Sequence, residues 1–168
     1  GRTRWTEEGV AVRPEVQPVV ANERVYVVHE EGVTAVATSD GTPHWTRGQP
    51  TGEYGRYVTA PAVTPDALYV AGAELFGEDA DALVALDAET GDRLWDAPLS
   101  SVSQNTDGPV VAGDVVLQPD NHALRAFDAE TGEQLWRLER EAPVSQPAVG
   151  DGRIYLPDGF GCTAYGGA

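Results

Sequence analysis

Side chains able to do chemistry are few and scattered in this 168-residue chain: three histidines (His29, His44, His122), one cysteine (Cys162) and 27 carboxylates. The single Cys excludes an internal disulfide and every multi-thiolate metal site. The sequence carries no G-x-S-x-G elbow, no phosphate-cradling loop and no paired-His zinc motif. Cys162 reads as a small buried apolar residue rather than a nucleophile. His44 stands beside Trp45, while His29 and His122 fall at hairpins and read as solvent-exposed loop residues. One His per hairpin facing an axial opening is the functional alternative. Asp87, Glu89, Asp128 and Glu130 recur in two D-A-E-T-G stretches. Carboxylates at that spacing could ligate a metal. The structural reading is preferred, because Asp and Thr side chains hydrogen-bond turn backbone and one such turn per repeat is a folding device. No catalytic set emerges.

Charge narrows the partners. The net charge is −16, and all 11 basic residues are Arg, with no Lys. Nucleic acid is excluded, since binding a polyanion needs a basic surface that releases counterions. An acidic, Lys-free chain suits a salt-loving organism, a halophilic archaeon, because carboxylate self-repulsion is screened at molar salt, where the Debye length is about 3 Å. A GC-rich genome favouring Arg, Ala and Val is the plainer explanation. No apolar run approaches the roughly 18 residues of a membrane-spanning helix, and no signal peptide is visible. The chain, lacking an initiator Met, reads as a processed protein or an excised piece.

The elements that position these residues repeat. Residues 87–95 read DAETGDRLW and residues 128–136 read DAETGEQLW; residues 37–45, ATSDGTPHW, are a weaker copy. Each sets Gly four residues before Trp: Gly41/Trp45, Gly91/Trp95, Gly132/Trp136, and at the start Gly1/Trp5. All four tryptophans obey the rule. Between them recurs a Pro-led apolar pair and then an aromatic or branched run, as in Pro18-Val19-Val20 before Val25-Tyr26-Val27 and Pro61-Ala62-Val63 before Leu68-Tyr69-Val70. Period-2 and short β-branched runs dominate, with no sustained helical period. Four short antiparallel strands per roughly 40–45 residues predict β-propeller blades. Repeat units over approximately 6–45, 46–95, 96–136 and 137–168, the last completed by 1–5, would form one domain over 1–168. Trp5, Trp45, Trp95 and Trp136, with Gly41, Gly91 and Gly132, are read as blade-docking residues.

The A-x-D-A-x-T-G-x-x-x-W pattern at residues 85–95 and 126–136 resembles the repeat of pyrroloquinoline quinone (PQQ)-like β-propellers. That family includes quinoprotein dehydrogenases, the lipoprotein of the bacterial outer-membrane assembly machine and many extracytoplasmic proteins. The resemblance covers essentially the whole chain and implies an all-β propeller and an extracytoplasmic or cell-surface location. It does not imply the cofactor. Quinoprotein dehydrogenases in the family commonly use a vicinal disulfide, which one Cys cannot form, a Ca²⁺ site, and a Trp stacked on the quinone. All four Trp here are read as packing residues. Asn105, Asp107 and Asn121 are the available polar residues for such a site. The resemblance also implies seven or eight blades, against four here. Three arrangements stay open: a small four-blade ring, a homodimer pairing two half-propellers into eight blades, or a chain whose other blades are absent.

Two length excursions, residues 46–58 and 71–81, share one face, and loops on a rigid scaffold concentrate binding residues. Arg47, Tyr54, Arg56, Tyr57, Glu74 and Phe76 form the candidate binding rim, with a solvated insertion as the alternative. Polar segments 104–107 and 145–146 are expected near the axis. The function expected is a non-enzymatic PQQ-like scaffold that binds a protein or small ligand through its loop-rich face and requires no cofactor. The alternative is part of a PQQ- and calcium-dependent oxidoreductase with its catalytic residues on other blades.

Overall fold

The computed structural model describes residues 1–7, 16–29, 32–48, 58–73, 80–103, 106–158 and 161–166. Among them there are fifteen strands and no helix, in four antiparallel meanders that follow chain order. The first sheet runs β1 (Val19–Ala21), β2 (Arg24–His29), β3 (Gly32–Ala37) and β4 (Pro43–Arg47). The second is β5 (Ala62–Val63), β6 (Ala67–Ala73), β7 (Asp81–Asp87) and β8 (Arg93–Pro98). The third is β9 (Val110–Ala112), β10 (Val115–Asp120), β11 (Ala123–Asp128) and β12 (Gln134–Glu139). The fourth has three strands, β13 (Ala148–Gly150), β14 (Arg153–Asp158) and β15 (Gly161–Tyr165). First strands of successive sheets lie side by side, β1 with β5 and β5 with β9. The sheets are therefore blades of a β-propeller, each with its shortest strand innermost.

Turn chemistry fixes each blade. The turn from β1 to β2 holds Asn22 and Glu23 at positive φ (53° and 57°), the backbone of a two-residue hairpin whose twist matches its strands. Between third and fourth strands Gly41, Gly91 and Gly132 sit at φ 79°, 73° and 74°, and the ladder slips there by one residue, at Ala35/Val36, Ala85/Leu86 and Ala126/Phe127. The hairpins of the second and third blades are tied by their leading acid. Asp128 Oδ1 accepts the Glu130 and Thr131 N–H groups at 3.0 and 2.8 Å and the Thr131 hydroxyl at 2.9 Å. Asp87 Oδ1 accepts the Glu89 and Thr90 N–H groups at 2.9 and 2.7 Å.

These bonds favour the ionised acid. The Thr131 N–H and hydroxyl hold Asp128 below the usual carboxylate range, the Thr42 N–H does the same for Asp40, and the Arg47 guanidinium does so for Asp92. A carboxylate whose pKa is depressed on folding adds stability above its unfolded pKa of about 3.9 and loses it as pH falls through the lower folded value. Thermal melting is thus expected to weaken from about pH 4 downward. Asp128→Asn should flatten that slope, and an unchanged slope would remove Asp128 as a contributor.

Side chains alternate across each strand into layers between blades. Tyr26, Val28, Val33 and Ala35 of the first blade pack with Leu68, Val70, Val84 and Leu86 of the second. Tyr69, Leu83 and Ala85 of the second pack with Val116 and Phe127 of the third. Leu117, Leu124 and Ala126 meet Leu156 of the fourth.

The structure corrects three expectations, those for Cys162, His29 and the length excursions. Cys162 is exposed: it lies on β15, which among the described residues has no strand outside it. His29 is buried rather than solvent-exposed: β2 turns it inward, where its Nε2 lies 2.9 Å from Thr34 Oγ1, itself 2.9 Å from Thr46 Oγ1. His122 is exposed, with Nδ1 3.1 Å from the Glu141 carbonyl. The excursions are also shorter than expected. Thr46 and Arg47 belong to β4, and Gly72 and Ala73 extend β6 to pair with Ala82 and Asp81 of β7.

Candidate binding cleft

Three connections that are distant in the chain converge on one face of the third blade. They are the segment from β8 to β9, the turn from β10 to β11, and the segment from β12 to β13. Between them opens a cleft of about 270 Å³ lined by Ser101, Ser103, Thr106, Pro119, Asn121, Pro143 and Val144. Its walls are pinned by backbone bonds. Ser103 N–H donates to Thr106 Oγ1 at 2.9 Å and Thr106 N–H returns to the Ser103 carbonyl at 3.0 Å. Val102 N–H donates to Asp81 Oδ2 at 2.6 Å. On the far wall Val144 N–H reaches the Asn121 carbonyl at 2.8 Å and Arg140 N–H reaches the His122 carbonyl at 2.7 Å. Hydroxyls and an amide over apolar proline and valine suit hydrogen-bond recognition of a neutral polar surface.

Beneath the cleft lies a buried ionic network. Asp120, whose side chain is fully buried, accepts Arg125 Nη1 at 3.0 Å, Ser100 N–H at 2.9 Å and the Ser100 hydroxyl at 3.0 Å. Arg125 also donates to the Pro98 carbonyl at 2.6 Å and to Gln134 Oε1 at 2.8 Å, with its guanidinium 4.8 Å from the Phe127 ring centre. The network ties the last strand of the second blade to the third and fixes where the segment after β8 departs. Gln118, buried beside it, donates to the Asp107 and Pro119 carbonyls at 3.0 and 2.6 Å. Among the described residues, no hydrogen-bond partner meets its Oε1.

Near the inner strands, Gln146 N–H donates to Asp107 Oδ2 at 2.8 Å and its amide to the Gly108 carbonyl at 3.3 Å. A Cβ at Gly108 would stand 2.2 Å from the Ala60 carbonyl oxygen, so only glycine allows that approach. Thr106, Asp107 and Gln146 thus belong to one polar neighbourhood, whereas Gln104 and Asn105 lie outside the described residues.

The candidate rim fares differently. Tyr54, Arg56, Tyr57, Glu74 and Phe76 lie outside the described residues. Arg47 is committed to a seam between blades: its Nη2 meets Asp92 Oδ1 at 2.7 Å and the Thr90 carbonyl at 3.2 Å. The Trp and Gly markers meet in an ordered way, three of the four indoles, those of Trp5, Trp45 and Trp95, each lying on the hairpin glycine next along the chain. A Cβ at Gly41 would touch Trp5, one at Gly91 Trp45, and one at Gly132 Trp95, each at 2.6 Å. The indole N–H groups reach the equivalent carbonyls of Thr38, Ala88 and Ala129 at 3.0, 3.4 and 3.0 Å. Tyr26 and Tyr69 donate to the Ala88 and Ala129 carbonyls as well.

A protein-family model described as outer membrane protein assembly factor BamB matches residues 1–108 and again residues 59–165. The chain belongs to this family of PQQ-like repeat proteins. No curated protein sequence matches it significantly. Among solved structures, the computationally designed Ika4 protein superposes with a TM-score of 0.75 at 12% identity, covering 98% of both chains. A europium-containing methanol dehydrogenase gives 0.64 at 14% identity over 83% of this chain, and the quinohemoprotein alcohol dehydrogenase from Comamonas testosteroni gives 0.62 at 16% over 87%. This PQQ-like chain spans 38% and 32% of those two enzymes. At such identities the likeness is one of fold. Among the described residues no three His, Cys, Asp or Glu side chains cluster to hold a metal ion, and no helix is long and apolar enough to cross a membrane.

Proposed function

We propose that this PQQ-like propeller is a non-enzymatic recognition scaffold that binds a neutral polar ligand or a peptide segment through its loop-bearing face. The cleft around Ser101, Ser103, Thr106 and Asn121 carries the reading. Asp120, between the lining residues Pro119 and Asn121, holds Ser100 next to Ser101 and is itself paired with Arg125, which favours a preformed binding surface, and preorganisation lowers the entropy lost on binding. The lone cysteine and the use of Trp5, Trp45 and Trp95 as seam residues favour recognition over quinone chemistry. Family membership supports an extracytoplasmic setting, and the −16 charge carried with Arg as its only strong base supports a high-salt one.

Amide shifts in NMR spectra of the chain, titrated with short peptides and neutral oligosaccharides, test the reading. Shifts that saturate at Ser101, Ser103, Thr106 and Asn121, and vanish in Ser101→Trp, are expected. Saturable quinone absorbance on titration with PQQ and Ca²⁺, or ligand shifts indifferent to Ser101→Trp, would overturn it.

A further inference from the structure

Building on the recognition role proposed above, on which this depends, we infer that Pro119 opens the cleft and that the gap seats one aliphatic side chain of a partner peptide. Pro119 does so by denying the third blade a pairing that closes the same place in the second. Registers align the two blades residue by residue. Ala62 pairs with Tyr69 and Val110 with Leu117, so Ala71 and Gly72 of β6 correspond to Pro119 and Asp120 of β10. The segments entering the innermost strands correspond as well, Val58-Thr59 to Thr106-Asp107, each followed by one residue and then proline.

In the second blade the entering segment zips onto β6. Thr59 N–H donates to the Ala71 carbonyl at 2.9 Å, Ala71 N–H donates to Thr59 Oγ1 at 3.1 Å, and Val58 bridges Gly72. Val58 and Thr59 are both buried. In the third blade the same exchange is barred. Proline has no N–H, so position 119 has nothing to donate to residue 107, and its carbonyl is taken by Gln118 Nε2 at 2.6 Å. Gln118 Nε2 also reaches the Asp107 carbonyl at 3.0 Å, a side chain standing between two backbones that pair directly in the second blade. Among the described residues no bridge joins Thr106 to Asp120, and Asp107 is exposed where Thr59 is buried. Thr106 and Pro119 both line the cleft.

Size and lining select the occupant. A volume of about 270 Å³ falls just below the roughly 300–1,000 Å³ of small-molecule sites, which suits a single side chain. Pro119, Pro143 and Val144 supply an apolar wall, and Ser101, Ser103 and Asn121 supply hydroxyls and an amide. None of the described lining residues is charged, and the buried Asp120 is already paired with Arg125, so an ionised side chain would lose water without gaining a counter-charge. None is aromatic either, which leaves a sugar ring no face to stack on. A leucine-like side chain matches the wall, and the peptide groups flanking it match the hydroxyls and the amide.

Amide shifts of the full chain, titrated with acetyl-Gly-Leu-Gly-amide, acetyl-Gly-Gly-Gly-amide and cellotriose, test the assignment. Saturating shifts at Ser101, Ser103 and Asn121 are expected with the leucine peptide alone. Asp107→Thr/Pro119→Ala rebuilds the pair formed by Thr59 and Ala71, and Pro119→Ala alone restores the N–H while keeping Asp107 on Gln146. In both variants the new amide at 119 should exchange with solvent roughly a hundredfold more slowly than an unprotected one. Affinity for the leucine peptide should fall roughly tenfold or more, with the melting temperature retained. Leucine-peptide binding that survives both variants, equal binding of the two peptides, or shifts with cellotriose alone would overturn this assignment and leave recognition by the cleft standing. An unprotected amide at 119 in both variants would overturn it too, because the pairing that Pro119 is said to prevent would not form. If no probe moves those three amides, the recognition role itself falls, and this assignment with it.

Discussion

Trp95→Ala is expected to destabilise the chain by about 3–5 kcal/mol, the range for truncating a buried aromatic. The indole is 9% exposed, lies on Gly132, tilts against Tyr69 at 5.8 Å between ring centres, and donates to the Ala129 carbonyl. Removing it empties the seam between second and third blades and leaves one carbonyl to Tyr69 alone. Trp136→Ala, made at a repeat-equivalent but 38% exposed position, is the internal comparison and should cost far less in the isolated chain. Equilibrium urea unfolding measures both. A Trp95→Ala loss under about 1 kcal/mol would contradict the seam.

Arg125→Ala should be comparably costly, about 3–5 kcal/mol, because removing one member of a buried ion pair leaves the other charge uncompensated. The Asp120 side chain is fully buried and that of Arg125 is 11% exposed. Arg125 also reaches the Pro98 carbonyl and covers the Phe127 ring, so its loss uncouples two blades as well as stranding a carboxylate. Asp120→Asn combined with Arg125→Met should recover part of the loss, as the stranded charge is then gone. A double-mutant cycle decides: additive losses would mean the pair does not act as a unit. The cleft above depends on the same network, so Arg125→Ala should also broaden the Ser101 and Ser103 amide resonances.

The blade architecture was legible in the sequence because its determinants are local. Gly132 and Trp136 stand at a fixed spacing, and Asp128 and Thr131 act within one hairpin. The cleft was not legible, because Ser101, Asn121 and Val144 become neighbours only when successive blades stack. One signal existed. In β10 the residues Val116, Gln118 and Asp120 share a face, and two buried polar side chains on an apolar stripe mark a network that must be satisfied from elsewhere. His29 misled because a hairpin position normally faces water, whereas here Thr34 and Thr46 give its ring a polar niche inside the blade. Cys162 misled for the opposite reason: its residue type suits a core, but among the described residues its strand has no outer neighbour.

The seams from the first blade to the second and from the second to the third are assembled from the same few parts: an indole, the glycine it lies on, and the carbonyl that receives its N–H. A module inserted or excised at a hairpin brings its own indole and its own glycine, so the seams on either side are restored without further substitution. Length in such a lineage can change by whole units through gene duplication, with each intermediate already compatible with its neighbours.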